Sequence, residues 1–291
     1  MALNGKLYRK WFLPRVLGAI ALAILSLLPL IVLAFPVNKF AANAVKSEIL
    51  PAPAIKHEKS ILDFGNKPVA FAPEYFALAA SFEINKDSDL DHCEEIVSKA
   101  MLKLPSEHTA ALTAINLTGK KMERRGYGGY GSIDLQCVNL DDAELVGVLV
   151  HEMGHIVDID YLTGGYTAAS AFIDFDRYIP ADDASVDFYS ISWVNSGRRA
   201  KETSKMDFVS IYAMTDPFED FAETYAMYVL HGDQFKRMAA GNSALQEKYD
   251  FMKYDVFFGQ EFNGSGQRLN TSARIYDSTK VKFSLDKFLE V

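Results

Sequence analysis

Residues 141–155, DDAELVGVLVHEMGH, contain the strongest structural signal in this chain of 291 residues. Asp141 and Glu144 have the spacing of a capping box, which satisfies free backbone N–H groups at the start of a helix. Apolar residues follow at helical intervals, namely Leu145, Val148, Leu149, Met153, Ile156 and Val157. The stretch therefore predicts a helix that begins after Asp141 and buries one face.

This helix carries the pattern His-Glu-x-x-His at His151, Glu152 and His155. Residues four apart lie on one helix face, so both imidazoles can bind one Zn²⁺, with Glu152 beside them as a general base. The pattern is typical of zinc peptidases, and it predicts Zn²⁺ as the cofactor. A solvent-exposed pair of histidines on a helix is the alternative interpretation.

A catalytic zinc site needs a third protein ligand and one open position. Asp158 and Tyr161 occupy the places where metzincins have a glycine and a third histidine, so that pattern is absent. A second helix is predicted to begin after Asp216, with Pro217 in its first turn, and to end near His231.

Glu219 and Glu223 lie four residues apart on this second helix and so share a face. One carboxylate can bind the metal while the other orients a ligand histidine through its second ring nitrogen. Taken alone, the pair can equally face solvent, with Glu219 as a capping residue. Beside the upstream motif, Glu219 is the preferred third ligand, and Glu223, Asp158 and His231 are the alternatives.

Residues 212–223, YAMTDPFEDFAE, place a tyrosine seven positions before Glu219 and spell Glu-x-Phe-Ala-Glu. With the histidine motif, this resembles the gluzincin clan, and within it the anthrax lethal factor and Pro-Pro endopeptidase group. The resemblance implies that Tyr212 donates its hydroxyl to the developing oxyanion, that Glu219 is a zinc ligand and that Glu223 supports a ligand histidine.

The resemblance covers Leu145 to Leu230 and depends on two helices and one tyrosine. The 63 residues between His155 and Glu219 make a longer gap than in those relatives. The extra segment, which includes residues 174–199, can shape the substrate cleft or cover it. The relatives' substrate specificities are therefore not transferred to this chain.

The N-terminal 36 residues predict a membrane anchor. Residues 16–35 hold no charge, and 20 residues just span a hydrocarbon core of about 30 Å. We expect a cytoplasmic segment over 1–15, a transmembrane signal anchor over 16–36, a spacer over 37–60 and the metallopeptidase domain over 61–291. A cleaved signal peptide, with residues 42–44 as its cleavage site, is the alternative. Both place the domain outside the cytoplasm, in the periplasm or the extracellular space.

The rest of the chain is acidic. The whole protein has 30 basic and 38 acidic residues, and the four basic residues before position 37 leave 26 against 38 for the remainder. Such a body, which has no basic cluster, argues against a nucleic-acid partner.

The predicted fold class is α+β, a zincin-like domain with a small mixed sheet beside the His-Glu-x-x-His helix. A helix is predicted over Asp89–Leu104, capped by Asp87 or Asp89, and strands over Ala111–Leu117 and Ser132–Val138. Ser132–Val138 is expected to form the cleft edge to which an extended peptide adds.

Three segments of the domain allow more than one interpretation or none. The glycine-rich stretch 125–131 is expected to be a mobile hairpin, either a flexible turn or a loop that grips substrate. Cys93 and Cys137 both lie on predicted apolar faces, which fits a disulfide or two buried thiols equally. The tail from Ala244 predicts a helix followed by a polar stretch with strand-like pieces such as Val281–Leu285, and no chemistry is assigned to it.

Taken together, the sequence predicts a membrane-anchored zinc metallopeptidase that hydrolyses peptide or protein substrates outside the cytoplasm. Two alternatives remain: a non-catalytic binding module stabilised by zinc, and a zinc amidase acting on a non-protein amide such as one in a cell wall.

Overall fold

The computed structural model describes residues 82–165, 168–263, 269 and 273–290, all within one unit over 67–291. The predicted anchor over 16–36 and spacer over 37–60 lie outside the described residues. Within the described part, no helix is both long enough and apolar enough to cross a membrane. The described elements confirm a mixed α+β fold.

A four-stranded sheet lies beside the first ligand-bearing helix, and its strands are β1 (Glu83–Lys86), β2 (Ala114–Thr118), β3 (Gly126–Gly129) and β4 (Ser132–Gln136). The strand order is β1-β2-β4-β3, with β3 antiparallel to β4 and the other pairs parallel. The prediction that Ser132–Val138 forms the cleft edge is wrong, because β4 pairs on both sides. The edge is β3, within the stretch that was expected to be a mobile hairpin.

The alternation of side chains explains why β2 and β4 form a half-buried sheet. Ile115, Leu117, Ile133 and Leu135 are buried on one face. On the other face, the Asn85 amide donates to Asn116 at 3.1 Å, and the Asn116 amide donates to Asp134 at 2.7 Å. The predicted strands were correct in type; the first begins three residues too early and ends one residue too early, and the second ends two residues too late.

Helix α1 (Asp91–Met101) packs its predicted apolar face into the core, and a short helix α2 (Ser106–Thr109) follows it. Leu90 caps α1 without a side-chain hydrogen bond, so the predicted cap at Asp87 or Asp89 is wrong. Asp87 instead accepts hydrogen bonds from Thr118 and the Gly119 N–H. A disulfide joins Cys93 to Cys137 with a Cα–Cα distance of 5.9 Å, which settles the question that the sequence left open.

Helix α3 (Asp142–Ile156) carries the His-Glu-x-x-His motif, and Asp141 caps it by accepting the Glu144 N–H at 2.8 Å. Glu144 does not complete a capping box; its carboxylate instead accepts from Arg125 at 2.7 Å. The chain continues past α3 as a π-helical turn over Val157–Tyr161.

Helix α5 (Pro217–Ala239) crosses α3 and carries the two glutamates, with Asp216 accepting the Glu219 N–H at 2.8 Å as predicted. The predicted end near His231 is confirmed in part, because the regular helix is interrupted at that residue. His231 has non-helical backbone angles, which mark a kink, and the helix continues to Ala239. Phe235 and Met238 beyond the kink are buried in the same core, so tertiary packing maintains the helix.

The described residues between the motifs include a hairpin of β5 (Ala169–Asp174) and β6 (Arg177–Pro180), then helix α4 (Ser185–Ser192), then β7 (Trp193–Asn195) and β8 (Arg198–Arg199). After α5, the chain forms α6 (Ser243–Phe251), a 3₁₀ turn over Ser278–Lys280 and α7 (Leu285–Leu289). No strand forms at Val281–Leu285, contrary to prediction.

Candidate metal centre

Three side chains from α3 and α5 meet at one buried point. His151, His155 and Glu219 each offer one ligand atom, and these atoms all lie within 4.8 Å of one another. His151 Nε2 lies 3.2 Å from Glu219 Oε2, and His155 Nε2 lies 3.5 Å from the same oxygen. The structure thus brings together the three residues that were predicted as metal ligands.

These distances fit a tetrahedral zinc site. Zinc binds imidazole nitrogen and carboxylate oxygen at about 2.0–2.2 Å, so two tetrahedral ligand atoms lie roughly 3.3–3.6 Å apart. The separations of 3.2 and 3.5 Å are close to that range. Two imidazoles and one carboxylate are also a donor set found in catalytic zinc sites.

Glu223 contacts the second ring nitrogen of the first histidine, His151. Its Oε1 lies 3.0 Å from His151 Nδ1, and its Oε2 accepts the backbone N–H of Ser278 at 2.8 Å. A ligand histidine usually donates its second N–H to such a carboxylate, which fixes the ring orientation and the tautomer. The tail, to which the sequence assigned no chemistry, therefore supports the site through the backbone of Ser278.

Electrostatics at the cluster keep Glu219 ionised. Burial alone would raise the pKa of Glu219, but hydrogen bonds with His151 and His155 outweigh it and hold that pKa well below its usual range. Burial alone would likewise lower the pKa of His151. Its hydrogen bonds to Glu219 and Glu223 outweigh burial and raise that pKa well above the ordinary value. The site therefore favours a cation beside Glu219.

The second carboxylate oxygen of Glu219 is held by groups from outside its helix. The Tyr212 hydroxyl donates to Glu219 Oε1 at 2.8 Å, and Arg124 Nη1 donates to the same atom at 3.3 Å. Burial, followed by the charge of Glu219, raises the pKa of Tyr212, so its hydroxyl keeps its proton and remains a donor. Tyr212 thus lies against a predicted metal ligand.

Glu152 is buried beneath the edge strand. A Cβ atom on Gly126 would lie 2.6 Å from Glu152 Oε1, and one on Gly128 would lie 2.5 Å from the Glu152 backbone oxygen. Only glycine permits β3 to lie this close to α3. Burial raises the pKa of Glu152, while His151, His155 and Arg124 oppose that effect. No donor among the described residues hydrogen-bonds to the Glu152 carboxylate.

Two other candidate ligands lie outside this cluster in the described part of the chain. Asp158 is buried, accepts the Tyr189 hydroxyl at 2.6 Å, and has its pKa raised by burial to about 8. His231 is buried at the kink of α5, and burial lowers its pKa to about 4. Neither belongs to the ligand cluster in the described part of the chain.

The cluster opens into a cleft of about 780 Å³. One wall is the edge strand β3, and another comes from the insertion, through Ile173, Asp174, Phe175 and Ser196. Of the two expectations for the insertion, the described residues fit a segment that shapes the cleft. Sequence reasoning did not identify Arg124, because nothing in the sequence pattern relates it to Glu219, 95 residues away.

Comparison with protein families finds a match for this chain. A family model described as "putative zinc-binding metallo-peptidase" matches residues 139–285, just over half of the chain. The matched segment includes α3, the insertion, α5 and the Ser278–Lys280 turn. A search of curated proteins finds no match.

Proposed function

The chain belongs to this family of zinc-binding metallo-peptidases, and on that premise we propose that it hydrolyses peptide bonds with a single Zn²⁺. The observation that carries the proposal is the buried trio of His151, His155 and Glu219, whose ligand atoms lie within 4.8 Å of one another and whose two separations from the Glu219 oxygen are close to those of a tetrahedral zinc site. All three residues line the cleft, where a substrate could reach them.

Zn²⁺ bound by these residues would supply Lewis acidity toward water and the peptide carbonyl. Glu152 accepts a proton from the attacking water and returns it to the leaving amine, a role that suits a buried carboxylate with a raised pKa. Tyr212 donates its hydroxyl to the developing oxyanion. Glu223 orients His151. Tyr212, Glu219 and Glu223 have these roles by resemblance to the lethal factor and Pro-Pro endopeptidase group.

An extended peptide is the substrate that the cleft fits best. Strand β3 pairs only with β4 among the described strands, so its outer edge presents free backbone groups beside Glu152. A peptide can add to that edge as a further strand. The free strand edge favours a peptide over a non-protein amide, which has no strand to add.

Zinc content and peptide cleavage test the proposal. For the full-length chain we expect about one zinc per molecule by mass spectrometry, lost in His155→Ala and Glu219→Ala and only weakened in Glu223→Ala. Glu152→Gln should keep zinc and lose cleavage of a mixed peptide library, whereas the exposed Glu202→Gln should retain both.

Two results would overturn parts of this proposal. Unchanged zinc in a folded Glu219→Ala protein would refute the ligand set. Stoichiometric zinc with no cleavage of any peptide by the wild-type protein would favour the non-catalytic binding module or an amidase for another bond. Retained cleavage in Glu152→Gln would remove Glu152 as the general base.

We also propose that the protein is anchored by residues 16–36 and acts outside the cytoplasm. The uncharged run of 20 residues supports the anchor. The disulfide between Cys93 and Cys137 supports an oxidising compartment, because glutathione and thioredoxin keep cytosolic thiols reduced.

Thiol labelling and protease access in intact cells test this location. The domain should be cleaved by protease added to intact cells or, for a periplasmic domain, to cells whose outer membrane has been removed, and Cys93 and Cys137 should react with a maleimide only after reduction. A domain protected from protease, with both thiols reactive at once, would place it in the cytoplasm.

A further inference from the structure

The tip of the β5–β6 hairpin holds an exposed aromatic residue in an unfavourable backbone conformation. Phe175 and Asp176 form the turn between the paired residues Asp174 and Arg177. Phe175 has a φ of +51° and is 91% exposed. Positive φ is costly for any residue with a Cβ, and a fully exposed phenylalanine gains nothing from burial. Neither property stabilises the hairpin.

A second turn faces this one from the main sheet. Tyr130, in the turn between β3 and β4, has a φ of +52° and is 45% exposed. Its hydroxyl donates to Asp174 at 2.8 Å, and the Arg177 guanidinium lies 4.4 Å from the centre of its ring. These contacts fix the hairpin against β3. Strained residues of this kind persist where the surroundings hold them, and they concentrate at functional sites.

Both aromatic residues line the cleft that contains the three metal ligands. The charged side chains of Asp174 and Arg177, which flank the tip of the hairpin, are already engaged, since both contact Tyr130. Phe175 is therefore left as an apolar surface that faces the cleft.

The sheet gives this surface a position along a bound peptide. A peptide that pairs antiparallel with β3 runs from the Gly129 end toward the Gly126 end, so its amino-terminal part lies nearest the two turns. Gly126 and Gly128 pack on Glu152. Tyr130 lies four residues after Gly126 and two residues after Gly128. At about 3.3 Å per residue, the turns lie roughly 7–13 Å along the strand from Glu152.

We propose that Phe175 and Tyr130 form an apolar subsite that binds a large aliphatic or aromatic side chain, two to four residues on the amino-terminal side of the cleaved bond. The inference rests on the proposed peptidase function, because it assigns a substrate class to the same cleft. It makes Phe175 a determinant of specificity that takes no part in bond cleavage.

Phe175→Gly separates this role from a structural one. Glycine adopts positive φ without strain, so this change should keep or raise the thermal stability of the hairpin while removing the ring. A residue that matters only for folding would show the reverse. Phe175→Leu keeps an apolar side chain and should keep the preference. Tyr178→Ala is the matched control, because Tyr178 is exposed on the same hairpin but does not line the cleft.

Peptide binding gives a readout that does not require turnover. The full-length Glu152→Gln protein, loaded with zinc, is mixed with a positional library of extended peptides, and the bound peptides are sequenced by mass spectrometry. We expect enrichment of Leu, Ile, Phe or Tyr at one position. Adding Phe175→Gly should abolish the enrichment and lower the affinity for the selected peptides about tenfold or more. Adding Tyr178→Ala should change neither the enrichment nor the affinity.

The outcomes separate this inference from the proposed function. Apolar enrichment that depends on Phe175, with no cleavage of the selected peptides by the wild-type protein, would support the subsite and refute the peptidase. Cleavage by the wild type with no apolar preference, or with a preference that Phe175→Gly leaves unchanged, would overturn the subsite and leave the peptidase in place. No peptide bound would overturn the subsite.

Discussion

Replacing Gly154 with alanine tests whether the two ligand-bearing helices must lie in direct backbone contact. Gly154 lies between the two histidines on α3 and faces Ala222 on α5. A Cβ atom at position 154 would lie 2.7 Å from the Cα of Ala222 and 3.2 Å from its Cβ. Because the nearest atom belongs to the backbone, no change of rotamer relieves the contact.

Two opposing effects set the change in stability. Carbon atoms in contact lie about 3.5–4.0 Å apart, so the helices must separate locally by about 1 Å. Such overpacking costs about 1–3 kcal/mol, while the higher helix propensity of alanine returns about 1 kcal/mol. We expect a net loss of up to about 2 kcal/mol, which corresponds to a fall in Tm of up to roughly 8 °C for a domain of this size.

The effect on metal binding should be larger than the effect on stability. His151 and His155 lie on one helix and Glu219 on the other, with ligand separations of 3.2 and 3.5 Å. A shift of about 1 Å exceeds the tolerance of about 0.2 Å in metal–ligand distances. Zinc affinity should therefore fall at least 10- to 100-fold, the loss typical when residues that orient the ligands are changed.

Competition with a zinc-binding dye measures the affinity, and thermal unfolding of the metal-free protein measures the stability. Gly241→Ala is the control, because no atom lies within 4 Å of its added Cβ. A second change, Ala222→Gly, should not restore the Gly154→Ala protein, since the Cα of residue 222 remains. Wild-type zinc affinity together with a raised Tm would refute the close helix contact.

Three further predictions concern stability and catalysis. The disulfide between Cys93 and Cys137 links residues 44 positions apart, so reducing it should lower the free energy of unfolding by about 4 kcal/mol; denaturant titrations with and without reductant measure this, and equal midpoints would contradict it. In the zinc-saturated protein, Tyr212→Phe should lower kcat by roughly 10²- to 10³-fold, because it removes the hydroxyl proposed to donate to the oxyanion; a change confined to KM would argue against that role. Burial lowers the pKa of His108 from 6.5 to about 4. The stabilisation that neutral His108 adds to the free energy of unfolding is therefore complete above pH 6.5. It is lost as the pH falls toward 4, by about 3 kcal/mol in total. His108→Gln should flatten the unfolding free energy over that range, and an unchanged slope would assign the acid sensitivity to other groups.

Local sequence determines most of the secondary structure of the site. The caps at Asp141 and Asp216 form as predicted, because each depends on one side chain and a backbone N–H three residues away. The helical spacing of His151 and His155 places both imidazoles on one face for the same reason. The end of α5 was not predictable in this way, since burial of Phe235 and Met238 extends the helix beyond its kink.

Position within the sheet depends on pairing between distant segments, which residue patterns do not encode. Alternation identified β4 as a strand, but its two neighbours placed it inside the sheet and made β3 the edge. The role of the glycines in β3 also appears only in three dimensions, where β3 lies against Glu152.

The sequence by itself determined three local features of this protein. These are a helix with two histidines and a glutamate, a second helix with two carboxylates, and an uncharged run near the N-terminus. These signals are local, since helix geometry relates residues three or four apart. Only the tertiary structure brought Glu219 to the histidines, Ser278 to Glu223, Cys93 to Cys137 and the hairpin of Phe175 to the cleft. Each of these contacts joins segments that lie more than 40 residues apart in the sequence. The packing of the common core decides which of these segments meet.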